Sequence, residues 1–210
     1  MPKFNGLLLD FDGTLVDSLN TLFDVYIDFL ASYNISGSYE EFNYFNGFKL
    51  PSIIDALKIK HNISQSNDVL LQHYYSKIEN IYIKMSPMVG AEDLIEYAIS
   101  NNILIGLVSS ANKSNILDWV NKFFPNKFST VVGGDDVDEG KPSPLPYLTA
   151  MKELCLDPVD CLCVEDSSIG IQSIINSGSN AILLDPKDSI IISHSRVKKI
   201  KKLSEIIKII

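Results

Sequence analysis

Two aspartates, Asp10 and Asp12, stand one residue apart where the apolar run Leu7–Leu9 ends. Like charges at that spacing repel, so something must relieve the repulsion. Ser109 and Ser110 end a second apolar run, Lys141 follows a third, and Glu165 and Asp166 end a fourth. Carboxylates held together favour a hard divalent cation, and an all-oxygen set suits Mg²⁺ better than zinc. A hydroxyl and an ammonium group supply donors for the oxygens of a phosphate, and an ionised aspartate is a covalent nucleophile toward phosphorus.

These residues share a site only if the intervening chain brings them to one edge. Five short apolar runs read as buried strands: "NGLLLDF", "ILIGLVS", "STVVGG", "DCLCVED" and "NAILLD". Between them lie helical stripes, on Leu94, Ile95 and Ala98, then Ile116, Leu117 and Val120, then Tyr147, Leu148, Met151 and Leu154, then Ile171, Ile174 and Ile175. Alternating strands and helices predict an α/β fold with a parallel sheet covered on both faces. In such a sheet ligands gather at the carboxyl ends of the strands, where the acids, serines and lysine stand.

The rhythm breaks from Asp17 to Met85. Three helical stripes are expected there, on Leu19–Leu30, on Ile53, Ile54 and Leu57, and on Val69–Tyr82. The spacing therefore predicts an all-helical insertion, residues 17–85, in a core built from residues 1–16 and 86–210. A terminal helix is expected on Ile200, Leu203, Ile206, Ile207 and Ile210, its lysines solvated.

The chain has 210 residues, 46% hydrophobic and 21% charged, enough for a real core. A net charge of −8 argues against nucleic acid as a partner, since phosphate backbones need a basic face. The three cysteines give no disulfide framework; Cys161 and Cys163 alternate on one strand and read as small core hydrophobes in a reducing compartment. With no membrane-length apolar run and no leader-like N-terminus, the expectation is a cytoplasmic monomer that engages neither membrane nor nucleic acid.

"DFDGTLVDS", "VSSA", "GKPSP" and "VEDSSIGI" occur in the order of the four motifs of the haloacid dehalogenase superfamily, which the chain resembles along essentially its whole length. The closest patterns are the phosphoglycolate phosphatase and β-phosphoglucomutase branches. The resemblance implies a Rossmann-like core with a C1-type helical cap. It implies an enzyme, a Mg²⁺-dependent phosphatase of a small phosphorylated metabolite that works through an aspartyl-phosphate. Asp10 would be the nucleophile and Asp12 the general acid and base. Mg²⁺ would rest on the Asp10 carboxylate, the Asp12 backbone carbonyl and the Asp166 carboxylate, with Glu165 either a direct or an indirect ligand. Ser109 and Ser110 would bind the phosphate, and Lys141 would neutralise charge between nucleophile and phosphate. "NGFKL" resembles the family's specificity loop, which puts Phe48 or Lys49 over the site.

Smaller expectations attach to neighbouring residues. Thr14 steadies the loop after Asp10, Asp17 caps the first inserted helix or braces the hinge, and Asp135 or Asp136 braces Lys141. His61, His73 and His194 belong to surfaces. Many relatives have an aspartate where Leu145 stands, which puts the capping of the following helix in question. Most aromatics of residues 39–48 pack the insertion.

The rival activities are a phosphosugar mutase, a dehalogenase and, outside enzymology, a receiver-type phosphoacceptor module. In β-phosphoglucomutases a histidine in the first cap helix gates the acid and a cap arginine grips a second phosphate. Leu22 and Lys49 take those places here, which favours hydrolysis. Dehalogenation needs no acid at Asp12. Receiver domains carry no cap, and their acceptor does not lie in a "DxDGT" after the first strand.

Overall fold

The computed structural model describes residues 3–210; Met1 and Pro2 of the expected core segment lie outside them. Six strands form one parallel sheet: β1 (Gly6–Leu9), β2 (Leu104–Val108), β3 (Thr130–Val132), β4 (Cys161–Glu165), β5 (Asn180–Leu184) and β6 (Val197–Ile200). Their spatial order is β3-β2-β1-β4-β5-β6. This is the doubly wound, Rossmann-like arrangement. The chain leaves β1 toward β2 and β3, then crosses back to place β4 on the other side of β1. The switch point therefore opens at the carboxyl end of β1, where a ligand crevice forms.

The central strands β1, β2 and β4 are almost wholly apolar because both faces are covered. Leu7 and Leu9 pack with Ile105, Leu107, Leu162 and Val164 in one core cluster, while Leu8 faces the other with Val108, Cys163 and Tyr147. Cys161 and Cys163 are buried free thiols in that second cluster. Helices α5 (Ala91–Ser100), α6 (Lys113–Phe123), α7 (Leu145–Glu153) and α8 (Ser168–Ser177) supply the layers.

Between β1 and β2 lie α1 (Leu19–Ala31), α2 (Tyr39–Tyr44), α3 (Leu50–His61) and α4 (Asn67–Ile78), followed by a 3₁₀ turn at Tyr82–Lys84. They enclose a separate apolar cluster around Tyr26, Phe29, Leu30, Ile54, Leu57 and Leu70. Ser38 and Ser66 cap α2 and α4 by accepting from the N–H groups of Glu41 and Val69. The two connecting segments brace each other: Asp17 N–H donates to the Ser86 carbonyl (3.1 Å) and Met88 N–H to that of Leu15 (2.8 Å). Among the described residues no helix is long and apolar enough to cross a membrane.

Four local expectations are corrected. A sixth strand exists, β6, hidden because "VKKI" buries only Ile200 deeply. The terminal stripe is therefore divided between that strand and a 3₁₀ segment, Leu203–Lys208. Helix α2 is a fourth inserted helix, and the third predicted stripe stops at Ile78. Ser18, not Asp17, occupies the N-cap of α1, so Asp17 contributes its backbone to the hinge pairing instead. At α7 the doubt over capping holds: its N-cap is Pro144, which makes no side-chain cap, and the Ser143 hydroxyl only accepts from Leu145 N–H at 3.3 Å.

Candidate active site

Asp10 and Ser109 each extend the sheet ladder one residue beyond their strands. Asp10 N–H donates to the Val164 carbonyl (2.9 Å) and Ser109 N–H to that of Val132 (2.9 Å). Both side chains are thus held by fixed backbone at the rim and are buried. Lys141 comes from the loop between β3 and α7, and its ammonium lies 2.5 Å from Asp10 Oδ1 and 2.6 Å from Glu165 Oε1. Glu165 is engaged on both sides: its Oε2 accepts from the N–H groups of Asp166 and Ser167 (each 2.9 Å) and from the Ser167 hydroxyl (2.8 Å).

The loop after β1 needs glycine for two reasons. Gly13 has φ +76°, a left-handed backbone that costs other residues, and a Cβ there would lie 2.2 Å from Asp166 Oδ2. Asp166 thus packs directly against the loop that carries Asp12. Thr14 is buried with its hydroxyl unpartnered by protein, so whatever it adds to the loop comes from packing.

The electrostatics of this rim are those of crowded acids. Burial raises Asp10 well above the ordinary carboxylate range, Glu165 adds to the rise, and Lys141 opposes it. Burial and then Glu165 likewise raise Asp166, against a hydrogen bond from Asn46 Nδ2 (3.0 Å). Asp12 is pushed up to about 6 by burial, although the Tyr82 hydroxyl donates to its Oδ2 at 3.2 Å. Burial works against the charge of Lys141, but Asp10 and Glu165 outweigh it and hold the ammonium above the ordinary lysine value.

One ammonium therefore faces four carboxylates. Carboxylate oxygens of Asp10, Glu165 and Asp166 lie within 4.8 Å of one another, and Asp12 Oδ1 is buried without a protein partner. An oxygen-only, electron-rich cluster short of positive charge fits a hard divalent cation. Asp10 and Asp166 are the better placed donors, because the hydrogen bonds of Glu165 already commit both its oxygens.

Other side chains lie differently from expectation. Asp135 and Asp136 do not brace Lys141: Asp135 Oδ1 accepts from Lys113 N–H (2.7 Å), and Asp136 pairs with the Lys113 ammonium (2.9 Å) at the start of α6. The bracing of Lys141 falls to Asp10 and Glu165. The Ser110 hydroxyl donates to the Gly47 carbonyl (2.7 Å). Lys49 donates to the Val137 carbonyl (2.9 Å), whereas Phe48 lines the cavity above the acids. None of the three histidines lines that cavity; His61 joins Glu41 at 3.0 Å and His73 joins Tyr33 at 2.8 Å within the insertion. Sequence reading passed over Asn46 and Tyr82, which touch Asp166 and Asp12 directly; only the place of Asn46 in "NGFKL" offered a signal.

A doubly wound parallel sheet with a buried lysine and an acid cluster at its switch point defines the class, an α/β domain whose ligand crevice at the carboxyl ends of the strands is strongly charged. The family model for haloacid dehalogenase-like hydrolases matches residues 7–184, and the chain belongs to that family. It is 27% identical over 216 residues to the 6-phosphogluconate phosphatase of Escherichia coli, covering 98% of this chain and 94% of that protein. It is also 27% identical over 183 residues to a bifunctional riboflavin kinase/FMN phosphatase of Arabidopsis thaliana, which takes in 84% of this chain but only 47% of that longer protein. Its fold is shared with a β-phosphoglucomutase of Clostridium difficile, at a TM-score of 0.78 and 21% identity, over 86% of this chain and 84% of the other.

Proposed function

We propose that this protein is a Mg²⁺-dependent phosphatase that hydrolyses a small phosphomonoester through a phosphorylated Asp10. The observation that carries the proposal is the contrast between two aspartates on one loop. Asp10 contacts the ammonium of Lys141 at 2.5 Å. Asp12 forms no salt bridge among the described residues and keeps its buried Oδ1 free of protein partners, a placement suited to giving and taking a proton, and burial pushes it up to about 6.

Asp10 then attacks phosphorus, a bond forms between its carboxylate oxygen and phosphorus, and the ester P–O bond breaks. Asp12 gives its proton to the departing alkoxide. In the second half, Asp12 takes a proton from water as the water oxygen attacks phosphorus. The acyl-phosphate bond breaks, and Asp10 and inorganic phosphate are regenerated. Lys141 orients Asp10 and offsets the charge gathered at the phosphoryl oxygens, with Ser109 and the Ser110 backbone as further donors. Mg²⁺, held by the carboxylates of Asp10 and Asp166 and the Asp12 carbonyl, would supply electrostatic stabilisation of the transferring group. Glu165 serves by fixing Lys141 and the turn at Asp166.

In this reading residues 17–85 are a cap on a core of residues 1–16 and 86–210, and they close to exclude water during transfer. Phe48 belongs to the specificity surface, whereas Lys49 helps hold the cap loop to the core. Three free cysteines support a reducing, cytoplasmic setting. Leu22 lines the cavity where a mutase would place a polar gate, which favours release to water.

The test is phosphate release from a panel of phosphomonoesters in Mg²⁺, paired with borohydride trapping of turning-over enzyme. Reduction of an aspartyl-phosphate converts Asp10 to homoserine, detectable by peptide mass. Phosphate release with no change at residue 10, or no release across the panel, overturns the proposal.

A further inference from the structure

The cavity above the acids contains about 120 Å³ and is walled by the helical insertion. Leu22, Phe42, Phe45, Phe48, Ile53 and Ile78 form its apolar surface. Phenols of tyrosine apart, the only ionisable groups lining it, among the described residues, are Asp10, Asp12 and Asp166, all at the phosphate end.

Three of the four tyrosine hydroxyls that line the cavity, all but that of Tyr74, are already committed. Tyr26 donates to Glu41, Tyr82 to Asp12 and Tyr75 to Asn112. The nearest ammonium on the loop, that of Lys49, is turned away to the Val137 carbonyl. A second anionic group on a substrate would therefore meet no cation, would lose its water, and would face the acids of the rim. A polyol would find few free partners beyond the Tyr74 hydroxyl and the Asn112 amide. A ring or branched alkyl group fits both the surface and the volume; apolar cavities of about 150 Å³ admit benzene.

Resting on the phosphatase reading above, we propose that the organic half of the substrate is a compact, uncharged, apolar alcohol of about one ring. Phosphorylated acids and bisphosphates are excluded. Phe42, Phe45 and Phe48 are specificity residues that supply ring contacts, and Asn46 fixes their loop to Asp166.

The test compares benzyl phosphate with 4-carboxybenzyl phosphate. Both release a primary benzylic alcohol and differ by one remote carboxylate, so intrinsic reactivity is closely matched. With Mg²⁺ present, kcat/KM is expected to be at least about 30-fold higher for benzyl phosphate, because an unpaired carboxylate in an apolar site is strongly disfavoured. In Ile53→Lys, at a half-buried wall position, the ratio is expected to narrow at least fivefold through faster turnover of the carboxylated ester. Equal or better hydrolysis of 4-carboxybenzyl phosphate, or of glycerol phosphate, by the unmodified protein overturns this assignment and leaves the phosphatase reading standing. No phosphate release from any of the three esters overturns both.

Discussion

The hydroxyl of Ser110, at the end of β2, donates to the carbonyl of Gly47, 63 residues earlier in the helical insertion, at 2.7 Å. Two further bonds from the same loop reach the core: Asn46 to Asp166 (3.0 Å) and Lys49 to Val137 (2.9 Å). Gly47 has φ +88°, and a Cβ there would lie 2.6 Å from the Ser167 hydroxyl. The loop therefore latches insertion to core directly over the acids. Ser110→Ala is expected to cost about 1 kcal/mol in this latch, read as faster amide exchange at residues 46–49. Gly47→Ala, strained and clashing, should raise KM more than Ser110→Ala does. Unchanged exchange in both variants would remove the latch.

Asp10→Asn is expected to leave the fold intact, because the buried carboxamide still accepts from Lys141. Phosphate release should fall on the order of 10³-fold or more, as for loss of a nucleophile. Circular dichroism and a malachite-green assay check the two halves, and turnover near the wild-type rate counts against the nucleophile.

Lys141 holds Asp10 and Glu165 at 2.5 and 2.6 Å in a buried triad. Lys141→Met leaves uncompensated buried carboxylates and should cost about 3–5 kcal/mol. Adding Asp10→Asn should recover part of that loss, since the two sites share one network. Denaturant midpoints of both variants measure it, and strict additivity would argue against the triad.

Mg²⁺ is expected to raise the melting temperature as well as activity. Saturation at a hundred times Kd contributes about 2.7 kcal/mol, and Asp166→Asn should abolish the shift. A melting temperature indifferent to Mg²⁺ and to chelator would remove the metal from this site.

Burial pushes the Glu41 carboxyl up, but Lys60 (2.6 Å), Tyr26 and His61 (3.0 Å) together outweigh it and hold it below the ordinary 4.5. Its folded value lies below its unfolded one, so the stabilisation is fully present above about 4.5 and is lost as pH falls through the folded value. Glu41→Gln should therefore destabilise the protein at pH 7 and flatten the acid side of its stability curve. Urea titrations between pH 3 and pH 7 test this, and parallel curves for the two proteins would refute it.

What the sequence determined by itself is local. A run such as Leu7–Leu9 must be buried on both faces, and acids immediately after such runs must stand at strand ends; the sheet places Asp10, Ser109, Glu165 and Asp166 there. Helical period announced the insertion because α1, α3 and α4 each bury a stripe. Weak local signals failed: α2 is six residues long, and β6 is an edge strand with two solvated lysines. Tertiary structure alone decided which partners meet across the chain. Asp135 and Asp136 turn to Lys113, Lys141 is left to Asp10 and Glu165, and Lys49 reaches Val137 while Phe48 faces the cavity. Such choices depend on how the insertion packs over the sheet. A long side chain can reach several acceptors, and which one it takes is settled only when burial removes water as the alternative.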